Sequence, residues 1–165
     1  MARFSAILCL VCVTGLFAPP AWARGSDAKE VGRNLIQRGY QLLRRAEGRL
    51  ARGDKERALR DAREAERIFA TVLNQEPKNR QAALLGGQAA TLAGQLPSAR
   101  KWIQRLARIA PAGQNDPDYH YLIAFVQLVG EKRPDRAVGS LTRMYSLNPR
   151  ARPTRPVLAL MLVRS

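Results

Sequence analysis

His120 is the only histidine in this 165-residue sequence, and it stands in Asp118-Tyr119-His120-Tyr121 with Asp116 two residues ahead of that stretch. An imidazole beside two carboxylates is material for a metal site or an acid–base pair. The same residues also fit the start of a helix, where acids favour the positive end of the dipole and the histidine is structural or solvated. The rest of the sequence supports the second reading. There is no His-Glu-x-x-His pattern, no nucleophile elbow, no glycine-rich phosphate loop and no Cys/His metal spacing. No enzymatic activity, cofactor, metal or small-molecule substrate is therefore expected.

The two cysteines, Cys9 and Cys12, lie in a segment with the three parts of a secretory leader. Arg3 precedes an apolar run from Phe4 to Phe17, and Ala21-Trp22-Ala23 supplies small residues for cleavage after Ala23. A membrane-spanning helix needs about 20 apolar residues, more than this run has before Pro19-Pro20. An exported, periplasmic or secreted protein is the resulting expectation, and an uncleaved N-terminal membrane anchor is the alternative. Removing residues 1–23 from the 165 leaves 142, enough for one domain with its own core and without a disulfide.

The chain carries 28 Lys and Arg against 13 Asp and Glu, a formal charge of +15. Such an excess attracts anionic partners, whether acidic protein, lipid, polysaccharide or nucleic acid. The unbalanced candidates are Arg33, Arg38, Arg44, Arg45, Arg49 and Arg52 on one predicted helix, beside Glu47, and Arg100, Lys101, Arg105 and Arg108 on another; Arg143, Arg150, Arg152, Arg155 and Arg164 follow. In Gly53-Asp54-Lys55-Glu56-Arg57-Ala58-Leu59-Arg60-Asp61-Ala62-Arg63-Glu64-Ala65-Glu66-Arg67, opposite charges stand four apart: Glu56 and Arg60, Arg57 and Asp61, Arg60 and Glu64. That spacing predicts pairs along one exposed helix face.

The elements that must position these residues are helices. Ala, Leu, Arg, Gln and Glu dominate, and no segment alternates with period two between hairpin turns. Gly and Pro divide the chain into pieces predicted at about Asp27–Arg52, Asp54–Gln75, Asn79–Ala93, Pro97–Ala110, Pro117–Val129 and Pro134–Leu147. A short apolar piece, Val157–Val163, follows Pro156. Asp54 and Asp116 are the predicted caps of the second and fifth helices.

The pieces repeat. Gly53 and Gly94 are each followed five residues later by alanine, Ala58 and Ala99, and the pairs close on Pro77, Pro111 and Pro149. On these residues the chain resembles the tetratricopeptide repeat family over essentially all of its predicted mature length, with hairpins at about 27–77, 79–111 and 116–149 and a capping helix at about 156–164. The family's small and apolar positions fall on Ala99, Ile103 and Leu106 in the middle unit and on Ala137, Leu141 and Met144 in the third, while Ala58, Ala62 and Ala65 open the second helix of the first. Ala83, Gly86, Gly87 and Ala90 would let two helix backbones approach closely. Two departures stand out: Pro77 arrives seven residues late, lengthening the first hairpin by two turns, and Phe125 occupies a position where the family has a small residue.

The resemblance implies an all-α, short right-handed superhelix whose concave face is lined by the first helix of each pair. The family's groove positions fall on Gln81, Leu84, Gln88 and Thr91 in the middle unit and on Tyr119, Leu122, Val126 and Val129 in the third. That surface is neutral, amide-bearing and apolar, suited to an extended or helical peptide. The expected function is a non-enzymatic adaptor for a protein partner in a cell-envelope or secretion assembly. The alternative is a polyanion-binding module that uses the arginines; few aromatic residues interleave with them, which disfavours nucleic acid.

Overall fold

The computed structural model describes residues 21–149, with side chains from Glu30 onward. Six α-helices follow one another as α1 Ala21–Ala51, α2 Lys55–Gln75, α3 Arg80–Leu92, α4 Leu96–Ile109, α5 Pro117–Phe125 and α6 Pro134–Leu147. No strand occurs among the described residues, and the architecture is the all-α stack of helical pairs that the sequence implies. Residues 1–20 of the predicted leader and the predicted capping helix lie outside the described residues. The first helix begins at Ala21 rather than near Asp27, so cleavage after Ala23 would remove Ala21, Trp22 and Ala23 from its start.

The turns follow from local chemistry. Gly53 and Gly94 adopt φ of 82° and 73°, and in each case the following amide donates back across the turn, Asp54 N to Arg49 O and Gln95 N to Ala90 O. This left-handed closure satisfies carbonyls at the helix end, and glycine adopts it without the Cβ penalty. Asp54 accepts from Arg57 N, Asn79 from Ala82 N and Asp116 from Asp118 N, so three of the helices begin on a side-chain cap. The loop before α5 contains a 3₁₀ turn, Gly113–Asn115.

The pairs α1/α2, α3/α4 and α5/α6 pack as hairpins, and α2 packs against α3 to join the first to the second. The first helices α1, α3 and α5 also touch in sequence, whereas α2, α4 and α6 show no comparable packing among themselves. Elements drawn together on one side and spread on the other curve the stack, placing α1, α3 and α5 on the inner face. Ala58, Ala62, Ala65, Ala99, Leu106, Ala137, Leu141 and Met144 are all buried, while Ile103 is half-buried.

In the long first hairpin Ile36, Phe69, Val72 and Leu73 are in the core and Leu35 packs against it, whereas Val31, expected to join them, is 48% exposed. The centre of the stack is α3, which packs against α1, α2, α4 and α5. A Cβ at Gly86 would lie 2.7 Å from the Trp102 ring of α4, and one at Gly87 would lie 2.6 Å from Leu122 of α5. Two adjacent glycines thus admit a large side chain from each of two neighbouring helices.

The third hairpin differs from expectation at its first helix. Regular α geometry ends at Phe125, and Val126–Gly130 continues as a π-helical turn, with Glu131 N donating to Val126 O. Phe125 is nevertheless buried, at 3% exposure. The extra residue in the π turn changes the side-chain register after the phenyl ring. It also brings Gly130 so near that a Cβ there would lie 2.5 Å from Leu96 Cδ2.

Gly86→Ala tests the central contact. Alanine favours a helix interior over glycine by about 0.5–1 kcal/mol, but the indole it meets is rigid. The expected net result is a loss of about 1–3 kcal/mol of stability, read as a lower urea midpoint with an unchanged slope. An unchanged or raised midpoint would show that α3 and α4 are not held this close.

Candidate partner-binding face and basic surface

The predicted groove residues divide into two groups. Gln81 is exposed and Leu84, Tyr119 and Val129 are half-buried, so these four retain accessible surface. Leu122 and Val126 are buried at 0% and 2% exposure, and Gln88 and Thr91 at 8% and 3%. The placement of these four in an open groove is corrected. Gly87 brings α5 so near α3 that Leu122 fills the space between them. Thr91 Oγ1 donates to its own helix at Gly87 O, 2.7 Å away.

One accessible residue was not foreseen. Tyr40 of α1 is 48% exposed and precedes Ala58 by the same interval that separates Gln81 from Ala99 and Tyr119 from Ala137. The signal was the repeat register itself, extended back into the first hairpin. In the next row of that register Leu43 and Leu122 are buried, and Leu84 alone is partly open. The inner face therefore presents two tyrosines and an amide at equivalent positions, with one accessible leucine in the central helix.

The charges of the Gly53–Arg67 stretch pair differently from expectation. None of the three predicted i, i+4 pairs forms. Asp61 instead meets Arg49 at 2.6 Å and Arg45 at 4.0 Å, and Glu64 meets Arg38 at 3.9 Å and Arg67 at 3.6 Å. Two acids of α2, Asp61 and Glu64, thus reach across to arginines of α1. Arg44 pairs with Glu47, whose carboxyl burial holds above its usual range against the opposing pull of Arg44. Four of the α1 candidates for a basic surface, Arg38, Arg44, Arg45 and Arg49, are thus engaged with carboxylates. Exposed pairs of this kind contribute about 0–1 kcal/mol, and the half-shielded Arg49–Asp61 pair is the strongest placed among them.

The basic residues of α4 separate from this group. Arg100 reaches Glu131 at 3.1 Å. Lys101, Arg105 and Arg108 have no carboxylate within ion-pair distance among the described residues.

The cluster around His120 is a junction between hairpins. Arg80, in the first turn of α3, donates to the buried Asp116 at 2.5 Å and pairs with Asp118 at 2.8 Å, clamping the start of α5 to the start of α3. No motif in the sequence singles out Arg80; its one signal is a place at the start of the first helix of its hairpin, as Asp116 and Asp118 are at the start of theirs. His120 bonds to the Gln114 backbone, stacks edge-on with Tyr119 and leaves Nε2 buried without a partner. Burial, and then Arg143, lower its pKa; the Gln114 carbonyl and Asp116 oppose them. No group of three or more His, Cys, Asp or Glu among the described residues could hold a metal ion. No described helix is long and apolar enough to cross a membrane.

Residues 56–124 match the family model described as tetratricopeptide repeat. No curated protein and no solved structure gives a significant match to the chain. The stretch from the first turn of α2 to near the end of α5 is therefore similar to the tetratricopeptide repeat, an architecture of stacked helical pairs that serves protein–protein interaction.

The His120 junction can be probed in two ways. Arg80→Ala leaves the buried Asp116 carboxylate without its cation, and a loss of about 1–3 kcal/mol is expected, with hydrogen exchange in α5 accelerated before that in α2. His120 holds its proton less tightly when folded than its ordinary value of 6.5 implies. Its contribution is thus complete above that value and is lost as pH falls below it. Urea midpoints measured downward from neutral pH should show this loss in the wild type and a shallower slope in His120→Asn.

Proposed function

We propose that this protein is an exported, non-enzymatic tetratricopeptide-repeat adaptor that holds a segment of a protein partner across the face shared by α1, α3 and α5. The observation that carries the reading is the row Tyr40, Gln81 and Tyr119, at equivalent repeat positions with accessible Leu84 in the next row. Tyrosine gives contact area at low entropic cost, the amide can pair with a peptide backbone, and leucine provides an apolar anchor. A peptide laid across repeats gains from each in turn.

Export rests on the leader-like residues Arg3, Phe4–Phe17 and Ala21-Trp22-Ala23, and a place in a cell-envelope or secretion assembly rests on that export. A broad polyanion-binding surface is less well supported. Five of its candidate cations on α1 and α4, Arg38, Arg44, Arg45, Arg49 and Arg100, already face carboxylates.

The test is site-specific photocrosslinking in the native compartment from position 81 or 119, with position 63 on α2 as the control. A single protein species is expected from the first two positions and not from the control. Leu84→Asp should abolish the crosslink while leaving the helical signal in circular dichroism intact, and Gln81→Arg should weaken it without touching the core. Leu122→Asp is unsuitable, because it would place a carboxylate in the core. Equal crosslinking from position 63, or a crosslink that survives Leu84→Asp, would refute the groove.

A further inference from the structure

We propose that the outer face of α4 docks a short acidic segment of a partner protein, with Lys101, Arg105 and Arg108 receiving its carboxylates and Ile109 receiving one aliphatic side chain. The three cations stand at i, i+4 and i+7, which places them in one stripe along the helix. None of them has a carboxylate partner among the described residues, and α4 contains no acid. Arg108 makes only a long bond to its own helix, Nε to Gln104 O at 3.4 Å.

The stripe is specific to the middle hairpin. Counting from Ala58, Ala99 and Ala137, its counterparts on α2 are Arg60, Glu64 and Arg67, where Arg67 is paired with Glu64. On α6 they are Gly139, Arg143 and Ser146. Unpaired cations also occur on α2 and α6, but only α4 sets three in this register with no acid on the same helix.

The dimensions favour a protein segment over a longer polyanion. Seven residues of helix span about 10 Å. Before the stripe, Glu131 already occupies Arg100. An extended polyanion would run from the stripe onto that carboxylate. Between the cations, Arg105, Arg108 and Ile109 line a shallow depression of about 280 Å³. An aliphatic side chain can use the isoleucine, and a phosphate or sulfate polymer has nothing to place there. A peptide with glutamates one helical turn apart around a leucine satisfies both features.

This surface lies on a second helix, away from the inner face, and does not rest on the groove reading. The test uses the full chain and a short fluorescein-labelled peptide with glutamates at i, i+4 and i+7 and one central leucine, followed by fluorescence anisotropy. Lys101→Gln/Arg105→Gln/Arg108→Gln should weaken binding at least about tenfold, since exposed charge pairs are modest singly and three are lost together. The control Arg33→Gln/Arg52→Gln/Arg60→Gln removes equal charge from exposed positions and should stay within about twofold. Leu84→Asp should leave this peptide bound, and replacing its leucine by serine should weaken it. Equal losses in the two triple variants would overturn the proposal by showing that net charge alone attracts the peptide. So would loss with Leu84→Asp, or binding of phosphatidylglycerol vesicles or sulfated tetrasaccharide through the stripe without binding of the peptide.

Discussion

The fold depends on how closely α3 can be approached. Gly86 and Gly87 are consecutive, so they face directions about 100° apart on the helix. One admits Trp102 and the other Leu122. A side chain at either position would push away a different neighbour, opening the middle hairpin in one case and detaching the third in the other. Glu66 reinforces the first contact by accepting from both Ser98 Oγ and Trp102 Nε1, the latter at 3.0 Å. Through that carboxylate, α2 fixes the indole that α3 is shaped to receive.

Much of this was legible in the sequence because it is local. Gly53 and Gly94 take left-handed angles at the breaks they mark, Asp54 and Asp116 accept from helix-start amides as predicted, and Asn79, expected inside the third helix, caps it from one residue before. The small residues of α3 also announced close packing. They did not announce its partners, because Trp102 and Glu66 depend on which faces meet after folding. The start of α1 had no comparable signal: Asp27 and the leader boundary suggested a beginning, whereas helix-compatible residues continue back to Ala21.

The inner face was half legible for the same reason. Family positions identify a helix face but not its depth, and depth here is set by the distance between adjacent first helices. Leu43, Leu84 and Leu122 share one repeat position, yet two are buried and one is partly open. The π turn adds a second displacement after Phe125, since one inserted residue rotates the later side chains by about 100°. Val126, expected on the groove, lies one regular turn after the buried Leu122 and shares its place in the core, so the rotation acts on the residues that follow it. A strictly periodic projection cannot contain that rotation.

The charges show the opposite limitation, because sequence spacing favours partners on the same helix while folding supplies nearer ones. Arg49 reaches Asp61 across the α1–α2 seam, with Arg45 at the edge of the same carboxylate. An arginine side chain is long enough to cross to an adjacent helix and still present two donors. The positive charges of α1 and α4 therefore differ physically. On α1, Arg38, Arg45 and Arg49 meet the acids of α2 and contribute to the hairpin, and their effect at a distance is reduced by those neighbours. On α4, Glu131 is committed to Arg100 and Glu66 to Ser98 and Trp102, so the field of Lys101, Arg105 and Arg108 extends outward within the roughly 10 Å that salt permits. Net charge counts both kinds alike, but attraction to a partner depends on the unpaired one.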